Sequence, residues 1–519
     1  MPSTPTRLLF LAAILATPLV ADEVPPTVPA APDGNEIVLT MTDAVLRGLD
    51  ANLEVQIERI QPALAEQQRR FKLGAFDPHL TTHSTMESLE TPQNTRDFFA
   101  TGRSVEVLQE DNIRTETNLL GVLPTGTRYK VTVVAYSLKN TLNREALARF
   151  YPEYTTRSSL TITQPLLRGF GVATTMAESR IAKSDLRVAE QNLRGKVDQV
   201  TAAVLDTYIE AIYSEQLIHV ITDRIALASR LKDENSKRLN QGLMAPIDVM
   251  QAESTRAAAE IELERARAYL NETENKLREL IFSDFAAVAD TRLRLVDPLR
   301  DLTLNESLPA LRGLALEHSA EYQSVLQTVE SEKLKVRYAR NQRLPAIDLE
   351  ASVGMNGLGA SWGGGFSDYS NRSQPDYSVG IVADIPLGSH QENANLREAL
   401  LRLRQAELGV KRTSNRVVSQ VQTAYARVQS SLQRTVASSR AVETAEAALD
   451  AEGKRLTNGL TTSFNVLKLQ DEVSQARINR LEAVAEGHKA LVVLWGVVGV
   501  LLDRYQINSV EAPNAAAHQ

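Results

Sequence analysis

The chain has 519 residues, 43% hydrophobic and 23% charged, which is long enough for two or three ordinary domains. Its net charge of −7 is modest, and Lys and Arg are interspersed with Asp and Glu, so its charge pattern gives no indication of a nucleic-acid partner. Cysteine is absent, which excludes a disulfide, a thiolate metal site and a thiol nucleophile.

The first residues have the pattern of a secretory signal. Arg7 precedes the apolar run 8–16, and a small-residue cleavage site ends at Ala21. We therefore predict a signal peptide over residues 1–21 and, from the proline-rich sequence that follows, a flexible linker over residues 22–38. The alternative is an N-terminal membrane anchor, for which this apolar run is too short.

Apolar residues recur every three or four positions in six segments, which predicts helices. The two longest segments, 171–241 and 388–458, contain no proline, and one helix of that length would extend over about 105 Å. Helices of ordinary globular proteins are far shorter, so these two are predicted to form coiled coils. The shorter helices are predicted at 43–73, 246–282, 307–342 and 463–498.

Six other segments alternate polar and apolar residues with a period of two, which predicts strands. Each has about ten residues, which is the length of a strand that crosses an outer membrane. They are HLTTHSTMES at 79–88, RTETNLLGV at 114–122, RYKVTVVAYSL at 128–138, RSSLTITQPL at 157–166, AIDLEASVGMN at 346–356 and DYSVGIVADIPL at 376–387. The predicted loops between them are 90–112, 139–156 and 357–375.

The first half of the chain contains a hairpin that the second half lacks. It lies in LLGVLPTGTRYKVTV, where Pro124, Thr125 and Gly126 are typical of a turn between two strands. Two alternatives stay open at this point: the hairpin adds strands to a barrel, or it folds into an extracellular or lumenal lid.

A fixed offset relates the two halves of the chain. KRLNQGLMAPIDVMQAE begins at Lys237 and KRLTNGLTTSFNVLKLQDE begins at Lys454, 217 residues later. Matches at this offset continue without a gap over about 80 residues, which indicates an internal duplication. We predict repeats over residues 39–285 and 302–502, each with the order helix, strands, long helix, tip, helix, and a C-terminal tail over residues 503–519.

The repeated sequence marks the turn between each long helix and the helix that follows. Gly242 and Gly459 lie where a helix needs a left-handed residue in order to end. Each half is therefore predicted to form a long helical hairpin with its tip at the repeated glycine.

These segments together resemble the TolC-like outer-membrane efflux family. The resemblance covers residues 39–502 and is carried by LTMTDAVLRGLDANLEV, TITQPLLRGFG, RNQRLPAIDLEASVG, IPLG and the two KRL-x-x-GL tips. It implies a mainly α fold, in which long antiparallel coiled-coil helices form a periplasmic α-barrel and a homotrimer shares one transmembrane β-barrel. It also implies an outer-membrane channel of a tripartite efflux or type I secretion system.

Such a channel is a passive conduit, not an enzyme, and needs no cofactor. The resemblance implies a periplasmic adaptor, an inner-membrane pump and outer-membrane lipid as its partners. The implied adaptor-contacting residues at the tips are Arg238, Gly242, Arg455 and Gly459.

A tunnel gate is implied next to the tips. The acidic gate positions of the family fall at Asn465 and Lys468, which are not acidic here, while Asp248 occupies the equivalent place in the first half. We therefore predict a gate formed by Asp248, Asn465 and Lys468, in which Asp248 and Lys468 help to hold the tunnel end closed.

Two other functions compete with the channel. A soluble periplasmic coiled-coil scaffold would explain the helices but not the strands with their period of two. A secreted hydrolase is suggested by the G-x-S-x-G motif at 359–363, which needs a strand before it and a helix after it. The sequence after the motif, GGFSDYSNRSQP, is typical of a loop, so we predict no catalytic residue.

Two histidines have a spacing that binds metal on a helix. His79 and His83 lie in a predicted strand, however, where four residues extend over about 13 Å. No metal site is therefore predicted at these residues.

Overall fold

The computed structural model describes residues 36–95, 107–141, 149–242, 244–299, 302–372, 374–458, 460–505 and 507. The predicted signal peptide and most of the predicted linker and tail lie outside these residues.

The helices of the described residues are α1 Met41–Ala51, α2 Leu53–Leu73, α3 Val172–Thr175, α4 Ala177–Asn240, α5 Pro246–Ile281, α6 Phe285–Val288, α7 Leu308–His318, α8 Ala320–Gln342, α9 Trp362–Arg372, α10 His390–Thr457, α11 Ser463–Val498 and α12 Leu501–Arg504. The strands are β1 Glu36–Leu39, β2 His79–Pro92, β3 Val107–Val122, β4 Arg128–Asn140, β5 Glu153–Pro165, β6 Arg292–Leu295, β7 Ala346–Gly359 and β8 Gln374–Asp384. Among these helices none is long and apolar enough to cross a membrane.

The ends of the long helices recur at one offset. Helix α4 has 64 residues and α10 has 68, and they end 217 positions apart, at Asn240 and Thr457. The following helices, α5 and α11, also begin and end 217 positions apart. Each long helix packs against the helix that follows it, so the two predicted helical hairpins are confirmed. The duplication that would explain this agreement stays a prediction.

Two helices that were predicted as continuous are broken. The predicted helix 43–73 is interrupted at Asn52, which has an extended ψ of 121° and accepts hydrogen bonds from the amides of Glu54 and Val55 at 3.0 and 3.3 Å. Asn52 thus caps α2, and its amide group also donates to the carbonyl oxygen of Leu280 at 3.1 Å. The predicted helix 307–342 is broken at Ser319, which has an extended ψ of 118° but whose side chain makes no capping hydrogen bond.

All six predicted strands are confirmed, and they form one sheet in the order β2-β3-β4-β5-β7-β8 with antiparallel neighbours throughout. The hairpin found only in the first half, β3 and β4, lies inside this sheet. The hairpin therefore adds two strands to the sheet and does not fold into a separate lid.

The predicted loops were too long. Strand β2 continues to Pro92 and β3 begins at Val107, so pairing consumes much of the predicted loop 90–112. In the same way β4 ends at Asn140 and β5 begins at Glu153, inside the predicted loop 139–156.

The third predicted loop, 357–375, contains the helix α9. The G-x-S-x-G motif therefore does lie between a strand and a helix, contrary to the prediction. The hydroxyl of Ser361 accepts a hydrogen bond from the amide of Gly364 at 3.2 Å, which is the contact of a helix cap.

The main core lies midway along the helical part, where β1 and β6 pair in parallel beside the long helices. Tyr208 of α4 is fully buried there, and its hydroxyl donates to the carbonyl oxygen of Leu39 at 2.8 Å. Burial raises the pKa of Tyr208 to about 12. Because Leu39 belongs to β1, this contact ties the long helix to the start of the described chain.

The outermost predicted segments need two corrections. Residues 36–38 of the predicted linker belong to β1, in which Ile37 and Leu39 are buried in the core, so the linker ends before them. The predicted tail 503–519 begins inside α12, where Arg504 lies 4.5 Å from the ring centre of Trp495.

Candidate functional site

The first helical tip is a tight turn around a glycine. Helix α4 ends at Asn240, and Gly242 has a φ of +74°, as predicted for a residue that ends a helix. The amide of Gly242 donates to the carbonyl oxygen of Leu239 at 2.9 Å. Helix α5 then begins with Pro246, whose fixed φ suits a first helical position.

The carboxylate of Glu452 stabilises the second tip through two contacts. Glu452 forms an ion pair with Arg455 at 3.1 Å and accepts a hydrogen bond from the hydroxyl of Thr461. The amide of Leu460 donates to the carbonyl oxygen of Arg455 at 2.9 Å, which closes the turn. The predicted tip residue Gly459 lies outside the described residues.

The two tips pack against each other through a small apolar core. Its residues are Leu231, Ala252, Val466 and Leu467, with Leu449 and Leu456 packed beside them. These residues come from α4, α5, α10 and α11, so all four helices of the two hairpins meet there. The tips therefore form one joint end of the helical part.

A buried amide links the two tips. The side chain of Asn235 is 1% exposed and donates to the carbonyl oxygen of Asp248 at 3.2 Å, while its oxygen accepts from the hydroxyl of Ser463 at 3.2 Å. Sequence reasoning missed this residue. A signal was available, because Ala228, Leu231 and Asn235 follow the spacing of one buried helix face.

The three predicted gate residues all lie in the first two turns after the tips. Asp248 is half-buried in the first turn of α5, and Asn465 of α11 donates to the hydroxyl of Thr461 at 3.1 Å. The ammonium group of Lys468 lies 3.9 Å from the carboxylate of Glu472, one turn along the same helix. Within one chain, the described contacts therefore pair Lys468 with Glu472 and not with Asp248.

An ion-pair bridge joins the two hairpins a few turns from the tips. Arg224 of α4 lies 2.7 Å from the carboxylate of Glu262 in α5 and also pairs with Asp471 in α11. The Arg224 side chain is only 16% exposed, so solvent screens this bridge less than a surface pair. Sequence reasoning missed it, because its two acidic partners lie 38 and 247 positions away.

The tips expose large apolar side chains to solvent. Ile247 and Met250 after the first tip, and Leu460 and Phe464 after the second, are each more than half exposed. Clustered exposed apolar residues are typical of a surface that contacts another protein. Of the other predicted tip residues, Arg455 is exposed and Arg238 is partly buried.

Comparison with known proteins agrees with this architecture. The family model described as outer membrane efflux protein matches residues 311–500. The alkaline protease secretion protein AprF of Pseudomonas aeruginosa is 22% identical over 351 residues, which cover 65% of this chain and 69% of AprF. The proteases secretion protein PrtF of Dickeya chrysanthemi is 23% identical over 358 residues, which cover 67% of this chain and 72% of PrtF.

Solved structures show the same fold. The Campylobacter jejuni CmeC outer membrane channel superposes with a TM-score of 0.62 at 12% identity, covering 89% of this chain and 86% of CmeC. The fold and the joint helical tips thus define an outer-membrane export channel with a periplasmic extension. The chain is similar to TolC-like outer-membrane efflux proteins, and this similarity supports a passive conduit over the competing hydrolase and scaffold.

Proposed function

We propose that three copies of the chain close one β-barrel of eighteen strands, six from each copy, and that their joined tips dock a periplasmic adaptor. The unpaired ends of the sheet carry this proposal. Within the described residues β2 and β8 each have a neighbour on one side only. Open sheet edges are not tolerated in lipid, so the edges must pair between copies.

The strand directions suit this closure. Because neighbours alternate in direction and each copy supplies an even number of strands, β8 of one copy runs antiparallel to β2 of the next. Eighteen tilted strands enclose a barrel about 35 Å across between backbones, which leaves a wide aqueous channel.

The two faces of the sheet differ as a membrane barrel requires. One row of paired positions crosses the whole sheet with apolar side chains: Leu80, Leu119, Val131, Leu160, Val353 and Tyr377. The next row faces the other way and is polar: Thr81, Asn118, Thr132, Ser159, Gly354 and Asp376. The apolar face is therefore the outward, lipid-facing side, and the polar face lines the lumen.

Charges cluster on the lumenal face. Arg128 lies 2.5 Å from Asp348, and Arg157 lies 2.5 Å from Asp376, each pair reaching across one strand. Both signs are present, which supports a lumen that admits water and does not select strongly for one charge.

The trimer is tested by native mass spectrometry in detergent together with cysteine crosslinking in this cysteine-free chain. Ser84 of β2 is changed to Cys and combined in turn with Tyr377→Cys, Val379→Cys and Ile381→Cys of β8. We expect a trimer mass, and one combination that yields covalently linked trimers. A monodisperse monomer, or no crosslink at any of the three positions, would contradict the shared barrel.

The adaptor is proposed to dock on the exposed apolar side chains of the tips, beside Arg238, Gly242, Arg455 and Gly459. Energy for export then comes from an inner-membrane pump that the adaptor connects to the channel. The protease-secretion names of AprF and PrtF support a type I secretion system as the class of this assembly.

Adaptor docking is tested by making the tips polar. Ile247→Ser with Phe464→Ser should weaken adaptor capture strongly, since burial of large apolar side chains drives most association. Val436→Ser is the matched control, because Val436 is equally exposed but lies in the middle of α10. Equal capture by both variants would place the docking surface elsewhere.

The tunnel gate is proposed at Asp248, Asn465 and Lys468. In a trimer these residues place three carboxylates and three ammonium groups near the narrow end of the helical barrel. The support for this proposal is their position in the first two turns after the packed tips.

A further inference from the structure

Helix α9 is fixed on the sheet at the end opposite to the long helices. The rings of Trp362 and Tyr154 meet edge to face with their centres 4.7 Å apart. The hydroxyls of Tyr369 and Ser158 lie 3.2 Å apart, within hydrogen-bond distance. Trp362 and Tyr369 belong to α9, and their partners belong to β5.

Glycines bring the backbone of α9 directly onto β7. A side chain at Gly357 would collide with the carbonyl oxygen of Gly365, and a Cβ at Gly359 would lie 2.5 Å from the carbonyl carbon of Gly364. Both strand positions therefore require glycine for this contact. Helix α9 therefore packs tightly against the sheet as an integral part of the fold.

The contacts place α9 on the outward face of the sheet. Tyr154, Thr156 and Ser158 of β5 lie on the same side as Leu160, which belongs to the apolar row. Arg157, between them, points the other way and pairs with Asp376 on the lumenal face. Helix α9 thus covers the side that faces lipid.

The level of α9 along the strands matches one edge of the bilayer. Ser158 and Tyr154, the strand contacts of α9, lie seven and eleven residues from Pro165, where the helical part begins, which is about 23 and 36 Å along the strand. At a strand tilt of about 40° these lengths correspond to heights of about 18 and 28 Å. The apolar band of an outer-membrane barrel is about 25 Å tall. Helix α9 therefore lies near the extracellular edge of that band.

At this level most outward side chains of the strands are small or polar, so the strands alone would contact lipid poorly. Besides Tyr154, which packs on Trp362, and Met355, the outward positions under α9 are Thr156, Ser158, Gly357 and Gly359, which carry hydroxyls or no side chain. Helix α9 covers them and supplies aromatic rings instead. Phe366 is 39% exposed and packs edge to face on Tyr369 with ring centres 5.8 Å apart.

We propose that α9 is a lipid-contacting helix on the outside of the barrel, with Trp362 and Phe366 among the headgroups of the outer leaflet. Aromatic side chains concentrate at membrane–water interfaces because one part of the ring is apolar and the other tolerates water. The inference rests on the proposed barrel, and it gives a role to the glycine- and aromatic-rich segment between β7 and β8.

Tryptophan fluorescence tests the proposal, because the chain has two tryptophans. Trp495→Phe leaves Trp362 as the only reporter, and the protein is reconstituted in vesicles of phosphatidylcholine brominated at shallow or deep chain positions. We expect brominated lipid to quench Trp362, and shallow bromines to quench it more than deep ones. The matched control is Trp362→Phe, which leaves Trp495 in the core of the helical part and should not respond.

A second measurement avoids any change in the core. Phe366→Cys carries a spin label in the otherwise unchanged chain, and Thr161→Cys on the lumenal face is its control. We expect the label at 366 to collide more with oxygen than with a water-soluble nickel complex, and the label at 161 to show the reverse.

The outcomes separate this inference from the proposed trimer. Trimers that are intact by native mass spectrometry, but in which Trp362 is quenched by acrylamide and by no brominated lipid, would overturn the lipid contact alone. Loss of the trimer in the unmodified chain would instead overturn the proposed barrel.

Discussion

In the first half of the chain, residues 39–285, the sheet receives four strands, whereas residues 302–502 supply two. The helices of the two halves differ much less, since α4 and α10 end 217 positions apart and so do α5 and α11. One chain thus keeps its helical hairpins nearly identical in length while its strands double in number.

The difference follows from what each part packs against. The tips of the two hairpins share one small core and the Asn235–Ser463 hydrogen bond, so a change in length of one hairpin would pull these contacts apart. The sheet, in contrast, has to match only the edge strands of the neighbouring copies in the proposed barrel. A whole hairpin such as β3–β4 can be added to it, because two strands preserve the alternation of direction and one strand would not.

The largest effect is expected at the first tip. Gly242→Val places a β-branched residue in the left-handed region, which costs about 1–3 kcal/mol and displaces the turn. We expect export to be abolished while trimers remain, alone or combined with the equivalent change at Gly459.

The matched control for this substitution is Gly242→Asn. No atom lies within 4 Å of a Cβ at Gly242, so both variants fit sterically and only the backbone preference differs. Asn tolerates the left-handed region and should keep export. Normal export by Gly242→Val, or equal loss in both variants, would show that the turn geometry of this tip is unimportant.

The next prediction concerns a deletion that leaves two strands of the sheet in each half of the chain. Deletion of residues 107–140 takes out β3 and β4, and since Leu80 and Leu160 lie in the same row, β2 can pair with β5 with matching faces. A trimer then has twelve strands, and the barrel diameter measured by electron microscopy should fall to about two thirds. An unchanged diameter would mean that the hairpin is not part of the barrel wall.

Sequence patterns predicted the helices and strands here because each follows from local periodicity. The breaks at Asn52 and Ser319 were missed, since a single cap residue does not interrupt the apolar stripe. Helix α9 was missed because WGGGF has low helical propensity, and its contacts with Gly357 and Gly359 stabilise it only in the folded sheet.

The turn at Gly242 was predictable for the same local reason, whereas the contacts between hairpins were not. Asn235 and Arg224 meet partners more than 200 positions away, at Ser463 and Asp471. No pattern within one helix fixes such a pairing, because it depends on how two hairpins pack side by side.

The bridge between the hairpins is the third target. Arg224→Ala removes the ion pairs with Glu262 and Asp471, and we expect a loss of about 1 kcal/mol and a roughly fivefold rise in resting single-channel conductance. Arg256→Ala is the control, since Arg256 pairs with Glu253 and Glu260 inside its own helix. The same conductance in both variants would show that the bridge does not hold the tunnel end closed.

A smaller effect is expected at the proposed gate. Asp248→Ala and Lys468→Ala should each raise the resting conductance by less than the roughly fivefold change that corresponds to 1 kcal/mol, since exposed pairs contribute only about 0–1 kcal/mol. If Asp248 of one copy pairs with Lys468 of a neighbouring copy, the double variant should raise the conductance little beyond either single variant. Additive effects would assign them independent roles, and unchanged conductance in all three variants would remove them from the gate.

The last prediction concerns stability instead of export or conductance, at a carboxylate that the second half replaces with an amide. Asp198 of α4 is buried, and the residue 217 positions later is the exposed Asn415. Burial raises the pKa of Asp198 to about 6, against the partly opposing charge of Arg194, and the nearby Asp503 raises it further. Its pKa in the unfolded chain is near 3.8.

The folded chain therefore binds the proton more tightly than the unfolded chain does. The resulting stability is complete below pH 4 and is lost as the pH rises from about 4 to about 6. Asp198→Asn removes this loss, so we expect the free energy of unfolding at pH 7.5 to rise by at most about 3 kcal/mol per chain, measured as a higher thermal unfolding midpoint, and to change little at pH 4. Asp223→Asn on the exposed side of the same helix controls for the loss of a charge. An equal shift at both pH values, or the same shift in the control, would show that desolvation of Asp198 is not the cause.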